Sequence, residues 1–228
     1  MAFAGSEIEI GEGAEAGRGY LSLPPVGTGP GVLVIQEWWG LVDHIREVCD
    51  RLAREGFVAL APDLYRGEST ADPDVASRLM MDLEIPRATR DLEAAITTVL
   101  GQQATTGARV GVIGFCMGGQ LALAAGCASP RVGAVVDFYG IHPKVSLELD
   151  RLQASVMGIF AEDDEFVPPE AARKLEADLR AAGKRADFTI FPGVSHAFMN
   201  DTRPDVYNAE VADRAWGQML AFLRAELG

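Results

Sequence analysis

The stretch GFCMGG, residues 114–119, places a cysteine among glycines where an apolar run gives way to a helical pattern. A strand-to-helix turn with the spacing G-x-C-x-G is typical of a nucleophile elbow, in which a strained turn projects the central side chain from the edge of a sheet. The start of a helix also favours the thiolate, the nucleophilic form of cysteine. We therefore predict that Cys116 is a nucleophile and that the backbone amide of Met117 forms half of an oxyanion hole.

Three plainer interpretations of this stretch compete. A glycine-rich turn can hold phosphate, but the stretch lacks the GK[ST] ending of a P-loop and the GxGxxG spacing of a dinucleotide fold. The glycines can also serve tight packing alone, and a free cysteine is often a small buried hydrophobe. We apply that last interpretation to Cys49 and Cys127, which fall inside predicted helices.

Partners for a reactive thiol follow two later apolar runs. The segment EDDEFVP comes after SVMGIFA, and SHAF comes after ADFTIFP. Nucleophile, acid and histidine in this chain order, each after its own strand, are typical of a hydrolytic triad on an α/β sheet. His196 is the predicted base, because His44 and His142 lie in a helical first turn and in an earlier loop. Asp163 and Asp164 both compete for the place of the acid.

A carboxylate also follows the third apolar run, in VIQEWWG at residues 34–40. Apolar neighbours desolvate Glu37 and make it more basic, which suits a proton acceptor, although a carboxylate that only shapes a pocket rim fits as well. Trp38 and Trp39 are predicted to form an apolar pocket wall.

Strand-length apolar runs alternate with helical patterns almost to the C-terminus, which predicts an α/β fold with a mostly parallel sheet covered by helices. We expect a single domain over residues 1–228. The predicted strands are 7–10, 19–24, 31–36, 57–62, 108–115, 132–139, 155–161 and 186–192. The predicted helices are 43–56, a two-part segment over about 74–100, one that begins right after Cys116, 168–183 and 209–227.

Composition excludes several classes of protein. The formal net charge of −13 disfavours nucleic acid and anionic membrane surfaces as partners. Three cysteines argue against a disulfide framework, and their spacing does not fit a CxxC metal site. Neither a signal sequence nor an apolar run of membrane-spanning length is recognisable, so we expect a cytoplasmic protein without a metal or organic cofactor.

Six motifs together resemble the dienelactone hydrolase family of α/β-hydrolases, also called carboxymethylenebutenolidases. They are VIQEWWG at 34–40, APDLY at 61–65, DLEAAI at 91–96, GFCMGG at 114–119, DEFVP at 164–168 and SHAF at 195–198. The resemblance implies an α/β-hydrolase fold with Cys116 as nucleophile, His196 as base and Asp164 as the acid. It further implies that Glu37 lies beside the thiol and that the amide of Trp38 completes the oxyanion hole.

One departure from the family concerns substrate binding. The resemblance also implies arginines that hold a carboxylate of the substrate. One of these arginines lies shortly after the histidine in the family. Here that position falls in AFMNDTR, with Met199 and Asn200, so that Arg203 is the available substitute. Arg78, in the segment over the site, is the candidate for the other arginine, although a lone arginine on a helix is more often a solvated surface charge.

We therefore expect a hydrolase that cleaves a small ester or lactone through Cys116, acting as a monomer or small homo-oligomer. A broader carboxylesterase or thioesterase is the first alternative, because elbow chemistry selects the carbonyl and not the leaving group. A non-hydrolytic protein that uses Cys116 for redox chemistry or binding is the second.

Overall fold

A computed structural model describes residues 4–13 and 16–228 of the chain. Its sheet has eight strands, and their order across the sheet is β1-β2-β4-β3-β5-β6-β7-β8. Strand β2 runs antiparallel to β1 and β4, whereas all the other neighbours are parallel. The strands are β1 (Ser6–Ile10), β2 (Gly17–Ser22), β3 (Gly29–Ile35), β4 (Val58–Pro62), β5 (Thr105–Phe115), β6 (Val132–Phe138), β7 (Ser155–Ala161) and β8 (Ala186–Phe191).

Six α-helices connect and cover these strands. They are α1 (Asp43–Arg54), α2 (Pro73–Asp82), α3 (Ile85–Leu100), α4 (Met117–Ala128), α5 (Pro169–Ala181) and α6 (Ala209–Leu227). The expected α/β architecture with a mostly parallel sheet is confirmed. The two-part segment divides at Leu83 and Glu84, whose extended backbone ends α2, and α3 restarts with Pro86 in its first turn, where a missing N–H costs nothing.

Helices lie on both faces because the central strands are apolar on both faces. In β3, Val32 and Val34 belong to the core that α1 and α6 cover, whereas Leu33 and Ile35 belong to the core beneath α3 and α4. This alternation follows from the two-residue period of a strand. Burial on both sides explains why β3 is a continuous apolar run.

Strands β1, β2, β3 and β5 begin earlier than the sequence predicts, and in β3 and β5 the cause is their pairing with each other. Strand β3 begins at Gly29 rather than at residue 31, because Pro30 already pairs with Thr106 of β5. Strand β5 correspondingly begins at Thr105 rather than at residue 108. Their polar and glycine-rich ends lack an apolar signal, and the pairing of the two strands alone makes them part of the sheet.

The carboxyl ends of the parallel strands meet at one edge of the sheet, where ligands bind in open α/β folds. Glu37 follows β3 and Cys116 follows β5 at this edge. Asp164 and His196 follow β7 and β8 in the same way. In the described part of the chain, no helix is long and apolar enough to cross a membrane.

Candidate active site

Cys116 occupies the turn between β5 and α4 with φ 53° and ψ −123°, a conformation that is uncommon for any residue with a side chain. The surrounding backbone holds it there. Its N–H donates to the carbonyl of Phe138 at 3.0 Å, and its own carbonyl accepts from the amides of Gly119 and Ile141 at 2.9 and 3.2 Å. The sulfur belongs to a residue only 7% exposed, so the strain presents a thiol at the floor of a cleft.

Glycine is required next to this turn because the backbone of α4 passes directly over strand β3. A Cβ on Gly118 would lie 2.5 Å from the carbonyl oxygen of Ile35 and 2.6 Å from that of Gln36. Real Cβ atoms essentially never lie within 3.0 Å of another heavy atom in this way, and both partners here are backbone atoms that cannot swing aside. The close approach therefore requires glycine in the motif, as the sequence suggested.

The acid and the histidine are in direct contact. Asp164 Oδ2 lies 2.8 Å from His196 Nδ1. The other oxygen, Oδ1, accepts the amides of Phe166 and Val167 at 2.9 Å each, which orients the carboxylate. Asp164 is buried whereas Asp163 is exposed, so the structure distinguishes the two candidates that the residues alone left open.

His196 lies in the loop between β8 and α6, with its ring against Tyr139 at 4.8 Å and Phe166 at 5.1 Å. Burial by itself lowers the pKa of His196. The hydrogen bond to the Asp164 carboxylate, the neighbouring Cys116 side chain and the charges of both groups outweigh burial and raise the pKa of His196 to about 10. The imidazole is thus held by the acid and lines the same cavity as the thiol.

Glu37 follows β3 and is 1% exposed. Its Oε2 accepts a hydrogen bond from Asn200 Nδ2 at 2.7 Å. Its Oε1 is buried and has no hydrogen-bond partner among the described residues. A buried carboxylate with one unpaired oxygen is unusual in a packed interior, where polar atoms are ordinarily paired.

The two amides expected to hold an oxyanion are those of Trp38 and Met117. Trp38 follows Glu37 in the turn after β3, and Met117 is the first residue of α4. Within residues 4–13 and 16–228, neither N–H donates to another backbone carbonyl. Both donors therefore remain available to a substrate oxygen.

A cavity of about 510 Å³ opens above these groups. Trp38 packs edge-on against Trp39 at 5.1 Å and against Phe166 at 6.3 Å, which forms an apolar wall. Most of the lining side chains are apolar. The lining residues are Glu37, Trp38, Trp39, Pro73, Ser77, Met80, Cys116, Ile141, Pro143, Phe166, His196, Ala197 and Arg203.

The two candidate arginines differ in position. Arg78 is exposed on α2 and does not line this cavity, although Ser77 and Met80 of the same helix do. Arg203 lines the cavity, with its guanidinium 5.9 Å from the centre of the Trp39 ring. It also pairs with the exposed Asp205 at 2.7 Å. The structure thus places Arg203, and not Arg78, within reach of a bound molecule.

The sequence did not suggest a role in the site for two neighbouring residues. They are Tyr139 and Asn200, the hydrogen-bond donor to Glu37. Tyr139 directly follows β6, is fully buried and has φ 43°. Burial raises its pKa well above the usual value, and the nearby Glu37, Cys116 and Asp164 raise it further. The sequence signal for Tyr139 was its position at the carboxyl end of a predicted parallel strand. Asn200 offered no signal, since its contact spans 163 residues of sequence.

The residues of the site do not form a metal centre. Within the described ranges, no group of three or more His, Cys, Asp or Glu side chains is arranged to hold a metal ion.

Comparisons with known proteins show which family and fold the chain shares. Residues 18–227 match the model of the "Dienelactone hydrolase family". "Protein usf" of Aquifex pyrophilus is 36% identical over 98% of this chain and 99% of its own. The "Putative carboxymethylenebutenolidase" of Aquifex aeolicus is 35% identical, with the same coverage of both chains. The solved "Putative Dienelactone Hydrolase" of Klebsiella pneumoniae superposes with a TM-score of 0.87 at 29% identity, over 98% of this chain and 99% of that chain.

Proposed function

The chain belongs to the dienelactone hydrolase family and has its α/β-hydrolase fold, and from this premise we propose that it hydrolyses a small ester or lactone through the thiol of Cys116. The observation that carries the proposal is an imidazole that an acid holds at the cavity that the thiol also lines. His196 hydrogen-bonds to Asp164 at 2.8 Å, and the Cys116 side chain lies close enough to raise the pKa of His196. A histidine held between an acid and a nucleophile can move a proton in either direction.

In the first half of the reaction, the Cys116 sulfur attacks the carbonyl carbon, and the carbonyl electron pair moves onto the oxygen. Glu37 takes up the thiol proton, and His196 carries a proton of its own, since its pKa is raised to about 10. The amides of Trp38 and Met117 stabilise the negative oxygen with donors that are already in place. The intermediate collapses when the carbon–oxygen bond to the alcohol part breaks, and His196 gives a proton to the departing oxygen.

The second half releases the acid. The acyl group remains on sulfur as a thioester until His196, held by Asp164, removes a proton from water. The resulting hydroxide attacks the same carbon, the carbon–sulfur bond breaks and the carboxylic acid leaves. The sulfur then takes back the proton that Glu37 held, which restores the thiol. No redox partner takes part in either half.

The acyl-thiol intermediate gives a direct test. On incubation with a slowly hydrolysed aryl ester and acid quenching, we expect one acyl group on the peptide that contains Cys116. Mass spectrometry of the digested protein locates it, and Cys49 and Cys127 are internal controls because both are buried inside helices. Ester turnover without acylation of Cys116 would contradict the proposed mechanism.

The lining of the cavity indicates the polarity of the substrate. Its walls are mostly apolar, which suits an uncharged or aromatic ester, and Arg203 is a cation at its border. This favours a broader carboxylesterase activity in addition to lactone hydrolysis, because a neutral ester needs no charged anchor. The redox or binding alternative gains no support from an acid, a base and two free amide donors around one thiol.

A pair of arginine variants tests whether a substrate carboxylate is held. We expect Arg203→Met to raise KM for a carboxylated ester about tenfold relative to its neutral analogue, since one lost charged contact is worth about 1.4 kcal/mol or more. Arg78→Met makes the same chemical change on an exposed helix position and is expected to leave that ratio unchanged. If instead only Arg78→Met raises it, Arg78 binds the substrate through a movement of α2.

A further inference from the structure

Glu37 is the most deeply buried ionisable group that lines the cavity, at 1% exposure. Taking a carboxylate out of water disfavours its charged form unless donors compensate. The donor in this structure is Asn200 Nδ2, 2.7 Å from Oε2. Oε1 has no partner among the described residues, so one oxygen is held and the other is left available.

Asn200 is itself held in one orientation. Its Oδ1 accepts from the backbone N–H of Thr202 at 3.1 Å and from the Thr202 hydroxyl at 2.6 Å. Because a backbone N–H can only donate, the amide oxygen must face Thr202 and the NH₂ group must face Glu37. The residue is 1% exposed, and its N–H donates to the carbonyl of Ala197 at 2.9 Å.

We propose that Asn200 is the positioning residue for Glu37. Its amide stabilises the ionised carboxylate through Oε2 and thereby leaves Oε1 as the oxygen that takes the Cys116 proton. The inference rests on the proposed function for the role of Glu37, but the contact itself does not depend on it. A competing explanation is that Asn200 only ties the loop after His196 to strand β3.

Several other groups bear on the charge of Glu37. Cys116, His196 and Arg203 line the same cavity, and the charge of Glu37 contributes to the raised pKa of Tyr139. None of them donates a hydrogen bond to Glu37. A test must therefore separate the effect of Asn200 through Glu37 from any effect through these neighbours.

The first experiment is a double-mutant cycle read out by alkylation of Cys116 with iodoacetamide, quantified on the Cys116 peptide. We expect Asn200→Ala to slow alkylation at pH 7 about 10- to 100-fold, the effect of one hydrogen bond to a charged group. In a Glu37→Gln background the same change should have less than about a twofold effect. Equal effects in both backgrounds would overturn the proposal and support the loop-tie explanation.

Asn208 provides a matched control, because it is the only other asparagine of the chain. It lies in the same loop and caps α6 by accepting the amide of Val211 at 3.1 Å. Asn208→Ala removes an amide of the same kind from a structural contact. Alkylation should remain within about twofold of wild type in this variant. A comparable slowing in Asn208→Ala would mean that loop order, and not Glu37, sets the rate, and would overturn the proposal.

A nearly isosteric variant provides a second readout. Asn200→Asp places a second carboxylate against Oε2, and two carboxylates at that distance share one proton. We expect the acid limb of the alkylation rate to move to higher pH by about one unit or more, with the thermal midpoint close to wild type. A loop tie with no link to Glu37 would leave the acid limb in place, and that result would overturn the proposal.

The two proposals fail in distinguishable ways. Alkylation needs only the thiol and its proton acceptor, whereas ester turnover also needs a suitable substrate. Loss of coupling between Asn200 and Glu37 in alkylation, with normal ester turnover, would overturn this inference alone. Coupling that persists in a protein that hydrolyses no ester would support this inference and contradict the proposed function.

Discussion

Replacing Cys116 with alanine is expected to lower kcat/KM for any ester that the protein hydrolyses by about 10⁴-fold or more. The reason is that the acyl group then has no nucleophile to receive it, and an alanine Cβ cannot replace the sulfur. Binding and the two amide donors remain, so residual turnover by water is the only route left. Initial rates on a neutral aryl ester and on a dienelactone measure the effect.

The same change at Cys127 is the control. Cys127 lies in α4 and is 7% exposed, as Cys116 is. Cys127→Ala removes a sulfur of equal burial from the opposite end of the same helix, at a cost of about 1 kcal/mol in stability, and should leave turnover near the wild-type rate. Both variants should retain cooperative unfolding. If Cys116→Ala keeps more than about a tenth of the activity, the thiol is not the nucleophile.

Gly114→Ala is expected to destabilise the protein by about 3 kcal/mol or more, one of the largest effects open to a single methyl group. A Cβ on Gly114 would collide with the carbonyl of Gly118 and lie 2.6 Å from the amide of Gly119. Both are backbone atoms of the first turn of α4, so relief requires the helix to move away from β5. That movement would also displace Cys116 and the amide of Met117, and activity should fall together with stability.

Gly217 makes the matching control variant. It is an exposed glycine inside α6, and a Cβ there would meet no atom within 4 Å. Gly217→Ala is therefore expected to stabilise the protein by about 0.5 to 1 kcal/mol, because alanine loses less backbone entropy in a helix. Urea unfolding of the three proteins measures both differences. A Gly114→Ala variant as stable as wild type would show that the elbow is looser than its contacts indicate.

Much of the architecture could be predicted because the signals are local. Strands β3 and β6 contain apolar runs, at residues 32–35 and 132–136, and helices α1 and α6 show the period of a helix with one buried face. The ends of β3 and β5 could not be predicted, since Gly29 and Thr105 join the sheet only through each other. Pairing between distant segments leaves no mark in either segment alone.

The residues of the candidate site likewise fall into those that local patterns predicted and those that only tertiary contacts distinguished. Residue type and chain order were enough to select Cys116 and His196, because G-x-C-x-G at a strand end and a histidine after the last strand are local patterns. The choice of Asp164 over Asp163 rested on resemblance until the tertiary structure placed one carboxylate 2.8 Å from the imidazole and left its neighbour exposed.

The sequence by itself determined the fold class, the elbow and the order of the chemical groups, because each depends only on residue types and periodicities along the chain. Only the tertiary structure decided that Asn200 holds Glu37, that Tyr139 lies against His196 and that Arg203 rather than Arg78 borders the cavity. These contacts join segments that meet at the carboxyl edge of the sheet after distant strands have paired. The distances between these side chains are set by tertiary packing and cannot be predicted from the number of residues between them.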